Sequence, residues 1–193
     1  MKNLEILNLQ NNSLKSISDS FTGFINLKKL ILTENHIHSL PLKFGYLKSL
    51  NLLELNGNEI KLLPSSILDC KLLSHLNLQG NSLIKLPENI GNMINLIKLD
   101  VSWNHLTNIP LSIGFSKSIK ELLLNENPLQ NPPVSECIKG FEHVMWYMRN
   151  SLHVINRGLP PMMRYHNMGI EEEAIILLPE LKEYTAGTNR TYI

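Results

Sequence analysis

The sequence contains little cysteine, no excess of charge and no long apolar run. Cys70 and Cys137 are the only cysteines among 193 residues. Secreted repeat domains of this size usually carry disulfides, so we expect an intracellular setting, either cytoplasmic or within an organellar or cytoskeletal assembly. The 18 lysines and arginines nearly balance the 17 acidic residues, giving a formal net charge of +1. We therefore expect no nucleic-acid partner.

Membrane and catalytic signals are equally scarce. No apolar run approaches the roughly 20 residues of a membrane helix, and residues 1–5 open no signal-peptide hydrophobic segment. We expect no membrane insertion. There is no glycine-rich phosphate loop, and the motifs GxSxG, HExxH and CxxC are absent. The sequence therefore predicts no catalytic residue, no metal ligand and no cofactor.

The chain instead contains an internal repeat. Leucine and asparagine make up roughly three residues in ten, which is typical of repeat proteins. The pattern LxxLxLxxNxL recurs every 23 residues and divides residues 1–133 into six repeats. The repeats start at Leu4, Leu27, Leu50, Leu73, Leu96 and Ile119. We expect one strand in each repeat, because the alternating leucines point inward and only stacked repeats can bury them.

An asparagine ladder accompanies the strands. One asparagine occupies the same position in every repeat: Asn12, Asn35, Asn58, Asn81, Asn104 and Asn127. A side-chain amide offers two donors and an acceptor, so it can satisfy backbone groups that are buried where the chain turns away from the sheet. The ladder is therefore predicted to be structural.

The repeat ends after Pro133. Apolar residues then recur at helical spacing, which predicts a helix over residues 134–153 that closes the end of the core. A C-terminal extension covers residues 154–193, and its apolar content is too high for a free linker. We expect it either to fold back on the repeats or to dock on another subunit.

The repeats resemble a known family. Their pattern LxxLxLxxNxLxxLPxxfgxLxx is similar to the Ras-group, plant-intracellular type of leucine-rich repeat, found in Scribble-like scaffolds and Roco-like repeat regions. Asn127-Pro-Leu-Gln-Asn-Pro-Pro-Val, with Gly140 and Tyr147-Met-Arg, resembles the terminal repeat and capping helix of that group. The resemblance implies an α/β solenoid: a leucine-rich-repeat arc with a parallel concave sheet, an irregular convex side and a C-terminal capping helix. It also implies an intracellular protein-interaction domain.

A partner is expected on the concave face, defined here as the strand and turn positions that point away from the leucine core. Acidic residues outnumber lysines there, which suits a basic or polar protein segment. Trp103 is the strongest candidate. The equivalent positions of the six repeats form a column across the sheet, and in the other repeats the column of Trp103 holds asparagine, glutamate or glycine. Exposed tryptophans are good anchors for a partner. Trp103 could equally pack over its neighbours. The other candidate partner-binding residues are Ile31, Glu54, Asn77, Asp100, Leu123, His75 and His105.

Three functions remain open at this point. The leading one is a non-catalytic scaffold or interaction module that serves as a structural subunit of a larger intracellular complex. A regulatory adaptor of a small GTPase or phosphatase is the alternative, and an enzyme ranks third. Because three residues before Leu4 cannot form a cap, we expect either a longer chain or subunit contacts through the N-terminal edge, with further contacts through residues 160–193.

Overall fold

The computed structural model describes residues 3–156, and the side chains as far as residue 151. Six short strands form one sheet, in the order of the chain. They are β1 (Ile6–Asn8), β2 (Lys29–Ile31), β3 (Leu52–Glu54), β4 (His75–Asn77), β5 (Lys98–Asp100) and β6 (Glu121–Leu123). All neighbours are parallel, and Leu53 pairs with Leu30 on one side and Leu76 on the other. Paired residues are thus 23 positions apart, which is the period of the sequence repeat. The predicted solenoid is confirmed.

Short 3₁₀ helices carry the chain back between successive strands. They span Asp19–Gly23, Phe44–Tyr46, Ser65–Asp69, Ile90–Asn92 and Leu111–Phe115. The core lies between them and the sheet. Leu30, Leu53, Leu76 and Leu99 reach it from the strands, and Phe44, Ile67, Ile90 and Ile113 reach it from the return segments. Each repeat therefore buries its apolar side chains against its neighbours.

Glycine in the return segments lets adjacent units approach closely. A Cβ on Gly91 would overlap the backbone of Ser112 in the next repeat. At Gly114, one repeat further, a Cβ would lie 2.7 Å from the Cβ of Met148. Met148 belongs to a helix that follows the repeats, so this helix occupies the place where a seventh repeat would pack.

The predicted C-terminal helix differs from the expectation in its bounds. Instead of one helix over residues 134–153, the structure has α1 (Val134–Cys137) and α2 (Phe141–Asn156). Gly140 separates them with φ of +101°, a conformation that an α-helix cannot contain. The inner face of α2 is buried through Val144, Met145 and Met148.

The predicted extension over residues 154–193 begins within α2, and its remainder, residues 157–193, lies outside the described residues. None of the helices in the described part of the chain is long and apolar enough to cross a bilayer.

Both cysteines are free thiols in protected surroundings. Cys70 is fully buried, and its burial raises its pKa to about 12. Cys137 is half-buried at the end of α1, and burial raises its pKa as well. Neither position favours the thiolate that a nucleophilic cysteine needs.

Candidate functional site

The asparagine ladder fixes the turn that follows each strand. In the fourth repeat, Asn81 Nδ2 donates to the carbonyl oxygens of Leu55 (2.9 Å) and Leu78 (3.0 Å), and its Oδ1 accepts from the Ile60 amide (3.0 Å). The equivalent side chains at Asn35, Asn58, Asn104 and Asn127 are also buried and make the same pattern of bonds. Asn12 is exposed and donates to Leu9 and Gln10. Each buried asparagine thus ties its own turn to the preceding repeat.

The residue before each ladder asparagine has a left-handed backbone. These residues, each with φ between +52° and +65°, are Asn11, Glu34, Gly57, Gly80, Trp103 and Glu126. Glycine adopts this conformation without cost, and asparagine tolerates it. A bulky side chain there is an outlier. Trp103 is the bulkiest residue at this position of the repeat, and the residue is 59% exposed.

Trp103 forms one wall of a shallow trough on the concave face. The trough has a volume of about 460 Å³ and is lined by Glu34, Asn56, Gly57, Gln79, Gly80 and Trp103. Gly57 and Gly80 form a floor without side chains. The Glu34 carboxylate lies over Gly57, in the space that a Cβ would fill. An indole and a carboxylate therefore border the same open space.

Hydrogen bonds hold the polar lining in place. Thr33 Oγ1 donates to Asn56 Oδ1 (2.8 Å), and Asn77 Nδ2 donates to the same oxygen at 3.4 Å. The backbone N–H of Gln79 in turn donates to Asn77 Oδ1 (3.1 Å). Because these contacts link three successive repeats, the side of the trough that faces the strands is preorganised.

The charge of the trough is negative. Glu34 is the single ionisable residue among those that line it, and no cation lies within ion-pair distance of its carboxylate among the described residues. Lys98, by contrast, is already paired with Glu121 at 2.7 Å, and this hydrogen bond raises the pKa of Lys98. The acid at the trough is thus available to a ligand.

The other candidate binding residues lie on the same face but outside the trough. Five of them are half-buried: Ile31, Glu54, Asn77, Leu123 and His75. His105 is exposed, two residues after Trp103. Asp100 differs from the expectation, because it is only 7% exposed. Its Oδ1 accepts from the amide and the hydroxyl of Ser102 at 3.0 and 2.6 Å, so this carboxylate is used within the protein.

The histidines of this face are dispersed. His75 Nδ1 lies 2.7 Å from Ser74 Oγ, while His36 and His38 contact Glu59 at 2.9 and 3.5 Å. Within residues 3–156, no group of three or more His, Cys, Asp or Glu residues is arranged to hold a metal ion.

Sequence reasoning identified Trp103 but missed the residues around it. Glu34, Gly57 and Gly80 share the column of Trp103, so the repeat alignment places them side by side. Two glycines in consecutive repeats beside a tryptophan were the available signal for an open floor. Asn56 and Gln79 carried no comparable signal, because polar residues are ordinary at outward strand positions.

Known proteins share the repeat pattern. The family model described as leucine rich repeat matches residues 25–83, and a second leucine-rich-repeat model matches residues 3–24 and 95–116. No curated protein sequence matches the chain. A solved leucine-rich-repeat protein of Leptospira interrogans is 36% identical with a TM-score of 0.66; the match covers 69% of this chain and 34% of that one.

Two plant receptors have similar structures. The leucine-rich-repeat ectodomain of the Arabidopsis thaliana membrane receptor kinase GASSHO1/SCHENGEN3, in complex with CASPARIAN STRIP INTEGRITY FACTOR 2, is 32% identical with a TM-score of 0.62. That match covers 66% of this chain and 16% of the receptor. The plant peptide hormone receptor RGFR1, in complex with RGF2, is 28% identical with a TM-score of 0.61. That match covers 65% of this chain and 21% of the receptor. The chain thus spans about a third or less of each structure. The matching family models, the parallel sheet and the asparagine ladder together show that this chain is a leucine-rich repeat protein.

Proposed function

We propose that the chain is a non-catalytic protein-interaction module whose concave face binds a basic or polar segment of a protein partner around Trp103. The leucine-rich-repeat fold supports a protein–protein interaction module. The observation that supports this site is the backbone of Trp103: a large residue that is 59% exposed has a φ of +56°. Strained positions that persist in a fold are a reason to look for function.

Stability alone does not account for a tryptophan at this position. The two preceding repeats place glycine here, and glycine relieves the strain of about 1–2 kcal/mol that an L-residue has in this conformation. Because the residue is 59% exposed, more than half of its surface gains nothing from burial in the core. Aromatic anchors of this kind contribute strongly to interfaces once a partner desolvates them.

Two of the similar structures are receptors held in complex with CASPARIAN STRIP INTEGRITY FACTOR 2 and with RGF2, and they support a polypeptide ligand for this chain. We extend the proposal to an intracellular scaffold or complex subunit, which the two free cysteines support.

The proposal is tested by comparing the full chain with two tryptophan variants as tagged baits in extracts of the cells that express it. Trp103→Ala removes the proposed anchor. Trp146→Ala is the matched control, because Trp146 is 57% exposed but lies on α2. We expect a protein that the wild type and Trp146→Ala capture equally and that Trp103→Ala captures at least tenfold less. Equal capture by all three baits, or a loss confined to Trp146→Ala, would contradict the proposal.

A further inference from the structure

We propose that the trough binds the guanidinium group of an arginine in the partner segment, stacked on the Trp103 indole and paired with the Glu34 carboxylate. This inference rests on the proposed function and names the chemical group that the same site recognises.

The spacing of the walls suits one planar cation. Gly57, Gly80 and Trp103 lie in consecutive repeats, so Gly57 and Trp103 are about 10 Å apart by strand spacing. The Glu34 side chain extends over Gly57 and narrows this gap. The remaining space lies above Gly80, where an added Cβ would have no neighbour closer than 3.7 Å. An arginine side chain can therefore enter between the indole and the carboxylate.

The hydrogen-bonding groups of the floor favour a donor-rich ligand. The backbone N–H groups of Gly57, Gly80 and Trp103 already donate to the carbonyls of Gln79, Ser102 and Asn125, at 2.9, 3.0 and 2.9 Å. The floor thus offers no free N–H to an anion. At the rim the Glu34 carboxylate can only accept hydrogen bonds, while the Gln79 side-chain amide can both accept and donate. A phosphate or carboxylate ligand would find no donor here from the backbone and would meet a negative charge.

Arginine fits these groups better than lysine does. Its guanidinium is planar and weakly hydrated, so it stacks on an aromatic face at low desolvation cost. The same group presents paired N–H donors that match the two oxygens of a carboxylate. Lysine offers a compact, strongly hydrated charge that can pair with Glu34 but stacks poorly.

The fluorescence of Trp103 measures this binding directly. Trp103 and Trp146 are the two tryptophans of the chain, so Trp146→Phe in the full chain leaves Trp103 as the sole reporter. The probes are three capped pentapeptides, Gly-Ser-X-Ser-Gly, with arginine, lysine or citrulline at X. Citrulline keeps the planar shape and loses the charge. We expect saturable quenching with the arginine peptide, at least threefold weaker binding of the lysine peptide, and at least tenfold weaker binding of the citrulline peptide.

A carboxylate variant tests the second contact. In the same background, Glu34→Gln is expected to weaken binding of the arginine peptide about tenfold, because one charge-assisted hydrogen-bonded pair is lost. Glu126→Gln is the control, because Glu126 shares the exposed left-handed column but does not line the trough; we expect less than a twofold effect. Circular dichroism establishes that both variants fold.

The inference is overturned if the arginine peptide causes no saturable change, if citrulline binds as well as arginine, or if Glu126→Gln has the larger effect. Its failure is separable from failure of the proposed function. A partner that the baits capture in a Trp103-dependent manner would uphold the interaction face even where the arginine peptide does not bind.

Discussion

The Glu34 carboxylate lies over Gly57, in the space that a side chain at residue 57 would occupy. Both residues have left-handed backbones, with φ of +52° and +65°. Glycine at residue 57 therefore does two things: it avoids strain in the turn, and it leaves room for the acid that borders the trough.

Replacing either floor glycine separates these two effects. Gly57→Ala and Gly80→Ala should each destabilise the protein by about 1 kcal/mol, because alanine is strained at these φ values. In Gly57→Ala the new methyl group must also displace the Glu34 carboxylate. This displacement should increase the loss of stability by less than about 0.5 kcal/mol, since the displaced atoms are the flexible end of that side chain. Urea unfolding of the two variants measures this. A gain in stability in either variant would show that alanine is not strained at these backbone angles.

The backbone strain at Trp103 is tested by comparing two truncations. Trp103→Gly and Trp103→Ala remove the same indole, but only glycine relaxes at φ of +56°. We expect Trp103→Gly to be more stable than Trp103→Ala by about 1 kcal/mol, the reverse of the usual order of glycine and alanine in regular structure. Equilibrium denaturation of both proteins gives the difference. Equal stabilities would show that the tryptophan is not strained.

The ladder asparagines should differ strongly according to burial. Asn81→Leu leaves the buried amide of Ile60 without its partner and removes one of the two asparagine donors to each of the Leu55 and Leu78 carbonyls. We therefore expect a loss of about 1–3 kcal/mol. Asn12→Leu is the matched control at the exposed end of the ladder and should cost less than about 1 kcal/mol. Thermal and urea unfolding compare the two. A similar loss in both variants would mean that burial does not govern the ladder.

The reactivity of Cys70 should be negligible in the folded chain. With a pKa raised to about 12, it holds almost no thiolate at pH 8, while the half-buried Cys137 is more accessible. We expect Ellman's reagent to modify the Cys137→Ser variant only as fast as the protein opens. Prompt modification of Cys70 in that variant would contradict its burial.

The same pKa shift predicts how Cys70 affects stability at alkaline pH. The folded-state pKa lies above the ordinary value of 9.0. The contribution of the neutral thiol is therefore complete below pH 9 and is lost as the pH rises toward 12, by up to about 1.4 kcal/mol per pH unit. Unfolding measured from pH 8 to pH 10 should show this slope in the wild type. Cys70→Val should show a smaller slope, because Cys137, whose pKa is also raised by burial, still contributes in the same direction.

The repeat was predictable in detail because its period is strict. A constant 23-residue spacing fixes the strand register, and the inward leucines and ladder asparagines then follow from alternation. The break between α1 and α2 was not anticipated, because the apolar spacing continues across Gly140 while its backbone leaves the helical region.

The site was less accessible to sequence reasoning. Asp100 occupies an outward strand position, but it is buried and its carboxylate accepts a hydrogen bond from the hydroxyl of Ser102, two residues later. The position in the repeat alone does not show such a contact. The trough likewise depends on which outward positions have a left-handed backbone and on where the Glu34 side chain lies. Those are properties of the turn and of rotamers, which a hydrophobic pattern does not encode.

The most direct test of the account is the affinity of the captured partner for the wild type and for Trp103→Ala, measured by isothermal titration calorimetry with purified proteins. Loss of a central aromatic anchor costs about 2 kcal/mol or more, so we expect the dissociation constant to rise at least about thirtyfold. Trp146→Ala should remain within twofold of the wild type. A Trp103→Ala protein that binds the partner within twofold of the wild type would contradict the claim that the concave face around Trp103 is the binding site.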